Sequence, residues 1–317
     1  MKTKHFFVVN PTAGTHSAER EILEKLKPFE EAYDITLYVT RGPNDASVYV
    51  RSVCESHQGP LRFYACGGDG TLNEVVNGAY GHAHAAVGCY PCGSGDDYIK
   101  YYGGKAGFMD IGAQLEGSEI PVDLMRAGDR LAINMVHFGF DSKVALTMQK
   151  VRRHPMFGGR RAYYAGVLSA FFQPFASAIR VRVDNEALNR KTLLLCTIAC
   201  GQYVGGSFRC APRSDNGDGL LDVCLVKPVS RFRFIAMIAS YTRGEHLDDP
   251  RFGDIMAYRR GSSVRIDMDA PFPVSLDGEL ITVSNLQVDV LPGAIRFAVP
   301  KGAVPIGQGG LKQEAQG

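Results

Sequence analysis

Apolar and polar positions in the first third of the chain follow two alternating periods. Residues 5–10 form a short apolar run of the kind that makes a buried strand. Ile22, Leu23, Leu26 and Phe29 then recur at helical spacing behind Ser17, a capping residue, with Glu19 and Glu21 in the favourable first turn. The same alternation predicts strands at 35–40, 62–66 and 86–90, and helices at about 43–57, 71–79 and 96–102. A βα array of this kind implies a mostly parallel sheet, which binds ligands in the loops at the carboxyl ends of its strands.

From about Asp123 the pattern changes to period-two alternation. In Ile179-Arg-Val-Arg-Val183 the apolar side chains face one way and the arginines the other, and Val264-Arg-Ile-Asp-Met268 repeats the device. With apolar runs at 193–199, 221–226, 272–276 and 286–291, these strands predict a mainly antiparallel sandwich or barrel. Helical insertions are expected at 142–153, 161–172 and 231–243. The fold class expected is α/β plus all-β: a parallel-sheet nucleotide-binding domain at 1–122, then a β-sandwich-like domain at 123–303 whose last strand can return to the first. Residues 304–317, rich in Gly and Gln, carry no apolar period and are expected to be a disordered tail.

Composition narrows the class without changing this outline. At 317 residues, 45% hydrophobic and 21% charged, the chain is an ordinary globular protein of about two domains. A formal net charge of +2 gives no global electrostatic argument for nucleic acid as a partner. No apolar run approaches the roughly 18 residues that a membrane helix needs. The run Phe6-Phe7-Val8-Val9 is too short for a secretory leader, so a cytoplasmic chain with reduced cysteines is expected. Cys89-Tyr-Pro-Cys92 can be read as half a zinc site, as a redox pair, or as a strand ending at a Pro-Gly loop; no second ligand pair at knuckle spacing accompanies it.

Three loops share one position just past a strand: Asn10-Pro-Thr-Ala-Gly14, Gly67-Gly-Asp-Gly-Thr71 and Pro91-Cys-Gly-Ser-Gly-Asp-Asp97. Glycines let backbone N–H groups approach phosphate oxygens, and a following helix brings its positive end beside them. The loops match neither the GxGxxG fingerprint nor a P-loop, so the phosphate site they suggest is of another type.

Gly67-Gly-Asp-Gly-Thr-Leu-Asn-Glu-Val-Val-Asn-Gly78 resembles the signature of the diacylglycerol kinase catalytic domain, the group that includes bacterial lipid kinases and sphingosine and ceramide kinases. Further segments fall in family order. Asn10 to Gly14 comes first, Pro91 to Asp97 resembles the family's PxGTxNDFA, and Gly139-Phe-Asp141 and Asp215-Asn-Gly-Asp-Gly-Leu-Leu-Asp222 precede Asp277-Gly-Glu279. The resemblance implies an ATP- and Mg2+-dependent kinase that moves a γ-phosphoryl group to a lipid hydroxyl, most simply that of a diacylglycerol. It would work as a peripheral protein at the inner membrane face, and a homodimer is open. By the same resemblance Asn10, Thr12, Gly67, Gly68, Asp69, Gly70, Thr71, Glu74, Gly93, Ser94 and Asp97 bind the nucleotide. Asp69, Asp97 and Asp123 attend the catalytic magnesium, partly through water, and Asp277 is the general base with Glu279 in support. Asp215, Asp218 and the Leu220 carbonyl hold a structural magnesium.

Some of these residues admit a plainer reading. Asp277-Gly278 also reads as a hairpin turn, and Asp215 to Leu220 as an Asx-rich surface turn. Asp96 stands where the family has Asn, and its extra carboxylate either repels phosphate or adds a metal contact. Lys150, Arg152, Arg153, Arg160 and Arg161 beside Tyr163, Tyr164, Phe171 and Phe172 suit an anionic lipid interface, or equally a packed helix with a solvated edge. Two other functions remain: a kinase of the same superfamily with a soluble acceptor such as NAD, and a nucleotide- or lipid-binding protein without turnover.

Overall fold

A computed structural model describes residues 2–14, 18–152 and 176–306. The expected helix at 161–172, the residues Arg153 to Phe172 of the proposed lipid interface, and 307–317 of the expected tail lie outside them. The chain divides into two compact units. One holds the chain up to Leu124, Asp215–Asp218 and the chain from Leu291 onward; the other holds Met125–Ser214 and Gly219–Val290.

The first unit is the βα array. Its strands are β1 (Lys4–Val9), β2 (Asp34–Val39), β3 (Leu61–Gly67) and β4 (Ala85–Pro91), and they alternate with helices α1 (Ala18–Leu26), α2 (Asp45–Ser56) and α3 (Asp69–Ala79). β1 lies between β2 and β3, and β4 follows β3, all parallel. Every residue of β3 and β4 is buried, as expected for strands covered on both faces. Phe7, Val9, Tyr64, Cys66 and Tyr90 pack against Ile22 and Leu26 of α1 on one side of the sheet. Beyond β4 come a 3-10 turn at Tyr98–Tyr102, then the short helices α4 (Lys105–Phe108) and α5 (Ile111–Leu115). The turn replaces the regular helix expected at 96–102.

The second unit is antiparallel. β5 (Ser118–Ala127) carries the chain into it, followed by β6 (Arg130–Ala132), β7 (Met135–Gly139), α6 (Phe140–Arg152), β8 (Ile179–Val183), β9 (Glu186–Ala187), β10 (Leu195–Ala199) and β11 (Leu221–Val226). Then come α7 (Arg231–Arg243), β12 (Met256–Gly261), β13 (Ser263–Leu276) and β14 (Glu279–Val299). Within this unit the strands run in the order β12-β11-β10-β7-β13-β14. In β8 the three apolar residues are buried while Arg182 is exposed, the alternation legible in the sequence.

Two expected strands, 264–268 and 272–276, are one. The register of β13 shifts between Asp267 and Phe272; its first half pairs with β8 and its last residues with β7. Pro271, which has no N–H to offer a ladder, lies in this irregular stretch, so one strand serves two neighbours, β8 and β7, on the edge away from β14.

Asp215–Asp218, expected in the β-rich domain, belongs with the first unit, and the last strand returns to that unit as the sequence allowed. The Asn216 side chain donates to the hydroxyls of Tyr98 and Tyr102, at 2.9 and 2.6 Å, and its carbonyl accepts the Asp123 N–H at 2.8 Å. The end of β14 runs parallel to β4, with Arg296 opposite Ala86 and Phe297 opposite Val87. All eight cysteines are free, and Cys89 is buried in β4, which ends at Pro91 as the strand-and-loop reading has it.

Candidate functional site

The three glycine-bearing loops leave the carboxyl ends of β1, β3 and β4 and meet. Asn10 donates its side-chain amide to the Thr71 hydroxyl at 3.1 Å, while its Oδ1 accepts from the Thr12 N–H and hydroxyl at 3.0 and 2.8 Å. The Gly67 carbonyl accepts the N–H groups of Cys92 and Gly93. The glycines are there because nothing larger fits. A Cβ on Gly93 would lie 2.5 Å from the Gly68 Cα, one on Gly67 would lie 2.2 Å from the Thr71 hydroxyl, and Gly14, at φ +69°, faces the Cys92 carbonyl. Gly70 is different, because the space around it is open.

α3 starts at Asp69 behind an extended Gly68, and no side chain caps it. Its first N–H groups are therefore available to an anion at the helix's positive end. The Asp69 side chain turns instead to the third loop, where Oδ1 accepts the N–H groups of Asp97 and Tyr98 at 2.7 and 3.2 Å. Burial, then the charge of Asp97, push the Asp69 carboxyl up to about 6, against the pull of those two N–H donors.

Two lysines answer the other carboxylates of this loop. Lys100 donates to Asp97 Oδ1 at 2.5 Å, and Lys105 lies 2.6 Å from Asp96 Oδ2. No ion pair of Asp69 with a cation is found among the described residues. The sequence reading missed both lysines. Lys100 follows Asp97 by three positions on the 3-10 turn, a signal that was available; Lys105 has no such local signal.

Other expected site residues are engaged elsewhere. Glu74 accepts the Asn44 N–H at 3.0 Å, at the start of α2. Asp123 is buried, and its Oδ1 accepts the Gly293 N–H at 2.8 Å. Ser94 is exposed at the tip of the third loop. Asp215 accepts the Gly217 N–H at 3.1 Å, and burial together with the Asp215 charge raises the Tyr101 hydroxyl above its ordinary range. Asp218, three residues on, is exposed. Among the described residues no three His, Cys, Asp or Glu side chains are gathered as a ready-made metal site.

In the second unit Asp277 occupies the two-residue turn between β13 and β14, at φ +47° and followed by Gly278 at +90°. Its carboxylate accepts three backbone N–H groups, those of Ile133, Asn134 and Met135, at 2.7, 3.0 and 2.8 Å. Glu279 is two-thirds exposed and pairs with Arg130 at 2.7 Å.

Comparison with known proteins places this arrangement. Residues 4–127 match the model of the diacylglycerol kinase catalytic domain, and residues 134–299 that of the YegS C-terminal NAD kinase beta sandwich-like domain. The "Probable lipid kinase YegS-like" of Chromohalobacter salexigens is 27% identical over 304 residues, covering 94% of each chain. The diacylglycerol kinase of Bacillus subtilis is 25% identical over 86% of this chain and 88% of its own. A diacylglycerol kinase structure from Bacillus anthracis superposes with a TM-score of 0.71 at 19% identity, covering 95% of this chain and 98% of that one, which shows the shared fold. The chain joins a diacylglycerol kinase catalytic domain to a YegS-type C-terminal domain and belongs to that kinase family.

Proposed function

We propose that this kinase transfers the γ-phosphoryl group of ATP, with magnesium, to a lipid hydroxyl, diacylglycerol being the acceptor class that the names of its relatives suggest. The observation that carries the reading is the convergence of the three loops on the uncapped start of α3. Asn10, Thr12, Gly67, Gly68, Gly70, Thr71, Gly93 and Ser94 lie at one place, where the bonds of Asn10, Thr12 and Gly93 hold the loops and the first N–H groups of α3 are left to an anion, and phosphoryl transfer depends on such positioning.

Magnesium, when bound, neutralises the charge that gathers on the transferring phosphoryl group. Asp69 and Asp97 are the residues to attend it, in part through water. Their donor chemistry fits, because the half-buried Asp69 carboxyl, raised by burial and then by the charge of Asp97, is relieved by a cation. Asp215 and Asp218, with the Leu220 carbonyl, form an oxygen donor set for a second, structural ion, although Asp215 shares its charge with the Gly217 N–H. Asp277 takes the proton of the attacking hydroxyl, oriented by its three backbone donors, and Glu279 steadies the turn through Arg130. The acceptor lies in a membrane surface that the protein meets from one side; no helix among the described residues is long and apolar enough to cross it.

The test is transfer of γ-labelled phosphate to a total lipid extract and, in parallel, to soluble acceptors including NAD, with Asp69→Asn as the control. Organic-phase product that disappears in the variant supports the reading. Label confined to aqueous acceptors assigns a soluble substrate, and no label anywhere despite nucleotide binding removes the catalytic claim.

A further inference from the structure

Asp96 is a buried carboxylate in a left-handed backbone conformation, φ +46°, in the middle of the third glycine loop. An unpaired buried charge there would be costly, and a bare carboxylate beside a phosphate site would oppose nucleotide. Asp96 is not bare. Its Oδ1 accepts the Gly93 N–H at 3.2 Å, its Oδ2 lies 2.6 Å from Lys105 Nζ, and the same ammonium donates to the Gly93 carbonyl at 2.8 Å. Lysine and aspartate thus close a ring around both polar groups of one peptide residue.

That residue is the contact between two of the loops. Gly93 packs on Gly68 with no room for a Cβ, and the Gly67 carbonyl holds the Gly93 N–H as well, at 3.2 Å. Fixing Gly93 therefore fixes the third loop against the start of α3. We propose that Lys105 is a positioning residue of the nucleotide site: it neutralises Asp96 and clamps Gly93, so that the loop carries no net charge from Asp96 and keeps its place against Gly68. This rests on the kinase reading above and resolves the two roles open to Asp96 in favour of neither. The carboxylate is a structural counter-ion, and it neither repels phosphate nor ligates metal.

The pair is asymmetric, and the asymmetry makes the test sharp. The Asp96 side chain has no exposure, whereas 45% of the Lys105 side chain is exposed. Removing the lysine strands a buried charge, but removing the aspartate's charge leaves a lysine that water solvates. Asn also tolerates the left-handed backbone at 96.

The experiment compares wild type, Lys105→Met, Asp96→Asn and the double variant. It uses calorimetric titration with Mg-ATP, thermal unfolding, and the separate dependence of kcat and KM on ATP. Lys105→Met should weaken Mg-ATP binding about tenfold or more, the scale of breaking a buried pair, and raise KM for ATP with kcat within about twofold, as for lost ground-state binding. Asp96→Asn should stay within about threefold of wild type, and the double variant should recover most but not all of the Lys105→Met loss, because no buried charge is left to strand while the contact to the Gly93 carbonyl stays absent. Unchanged Mg-ATP affinity in Lys105→Met overturns the proposal while leaving the kinase reading intact. So does a loss of which the added Asp96→Asn recovers nothing. A wild-type protein that does not bind Mg-ATP defeats the kinase reading itself and this role with it.

Discussion

Asp97 donates its backbone N–H to Asp69 Oδ1 at 2.7 Å, so the loop after β4 is held by the first residue of α3 while the Asp97 charge stays close enough to oppose the ionisation of Asp69. Asp69 is raised from 3.8 to about 6, chiefly by burial. The folded chain therefore keeps a proton between these values that the unfolded chain releases. Asp69 contributes stability below about pH 4 that is lost as pH rises through 6. At pH 7.5 its charge is a standing cost to the metal-free protein.

Asp69→Asn should accordingly abolish phosphoryl transfer and at the same time stabilise the metal-free protein at pH 7.5, by an amount on the order of 2 kcal/mol for a shift of this size. Asn keeps the Oδ1 that accepts the Asp97 and Tyr98 N–H groups. Urea unfolding at pH 4 and 7.5 checks the sign: the variant's advantage should be present at 7.5 and absent at 4. In wild type, the half-saturating Mg2+ concentration should fall as pH rises from 5 to 7.

Gly67 and Gly70 separate packing from access. Gly67→Ala drives a methyl into Thr71, and should lower stability by about 1–3 kcal/mol as overpacking does, with nucleotide affinity falling too. Gly70→Ala meets nothing within 4 Å. It should leave the melting temperature unchanged or slightly raised, since Ala favours a helix, yet raise KM for ATP by narrowing the approach to the α3 N–H groups. Equal KM values for Gly70→Ala and wild type would place the phosphates elsewhere.

Arg62 and Glu119 form a largely buried pair in the first unit, with Nε and Nη2 at 3.0 and 2.8 Å from Oε1, and Arg62 also donates to the Gln114 and Leu115 carbonyls. Glu119→Gln leaves a buried guanidinium short of its counter-charge and should cost about 3 kcal/mol in chemical denaturation.

Acid sensitivity is built into both units. His5 in the first and His246 in the second are each lowered to about 4, mainly by burial. The unfolded chain takes up protons near 6.5 that the folded chain refuses until about 4. The stability from each neutral ring is present above 6.5 and lost as pH falls through that window. Replacing His246 with Gln should flatten the decline of unfolding free energy between pH 6.5 and 4, which titration of the urea midpoint reads directly.

The βα half of the fold was legible because each strand and the helix that follows it are neighbours in sequence, so the switch from strand to helix period is written locally. The return of β14 to β4 could be read only as open, and the seat of Asn216 against Tyr98, 118 positions away, is a pairing that no local period carries. β13 was split in two for the converse reason, since its prolines mark a register shift that keeps the strand whole. In the site, the glycine loops could be read because close backbone approach demands glycine. The compensation of Asp96 could not, since Lys105 reaches it from the start of α4. Asp123 and Glu74 accept the N–H groups of Gly293 and Asn44, long-range contacts that no local pattern announces.

Asp277 is both a hairpin residue and the proposed base, and the two roles predict different things of its neighbour. Three backbone N–H donors occupy three of the roughly four acceptor sites of a carboxylate. Asp277→Asn suits the left-handed turn but turns an amide toward one of those donors, either Ile133 or the Asn134–Met135 pair. A purely structural Asp277 would make the loss of turnover track the loss of stability, about 1–3 kcal/mol for an unsatisfied buried donor. A base adds to that a fall in kcat of about 100-fold or more at temperatures where the variant is fully folded. Glu279→Gln provides the contrast: its partner Arg130 is on the surface and the pair is worth about 1 kcal/mol or less, so turnover should stay within about threefold of wild type. Measuring kcat at 15 °C for both variants, with folding checked by circular dichroism, decides whether the turn at Asp277 carries a proton or only holds the segment from Ile133 to Met135.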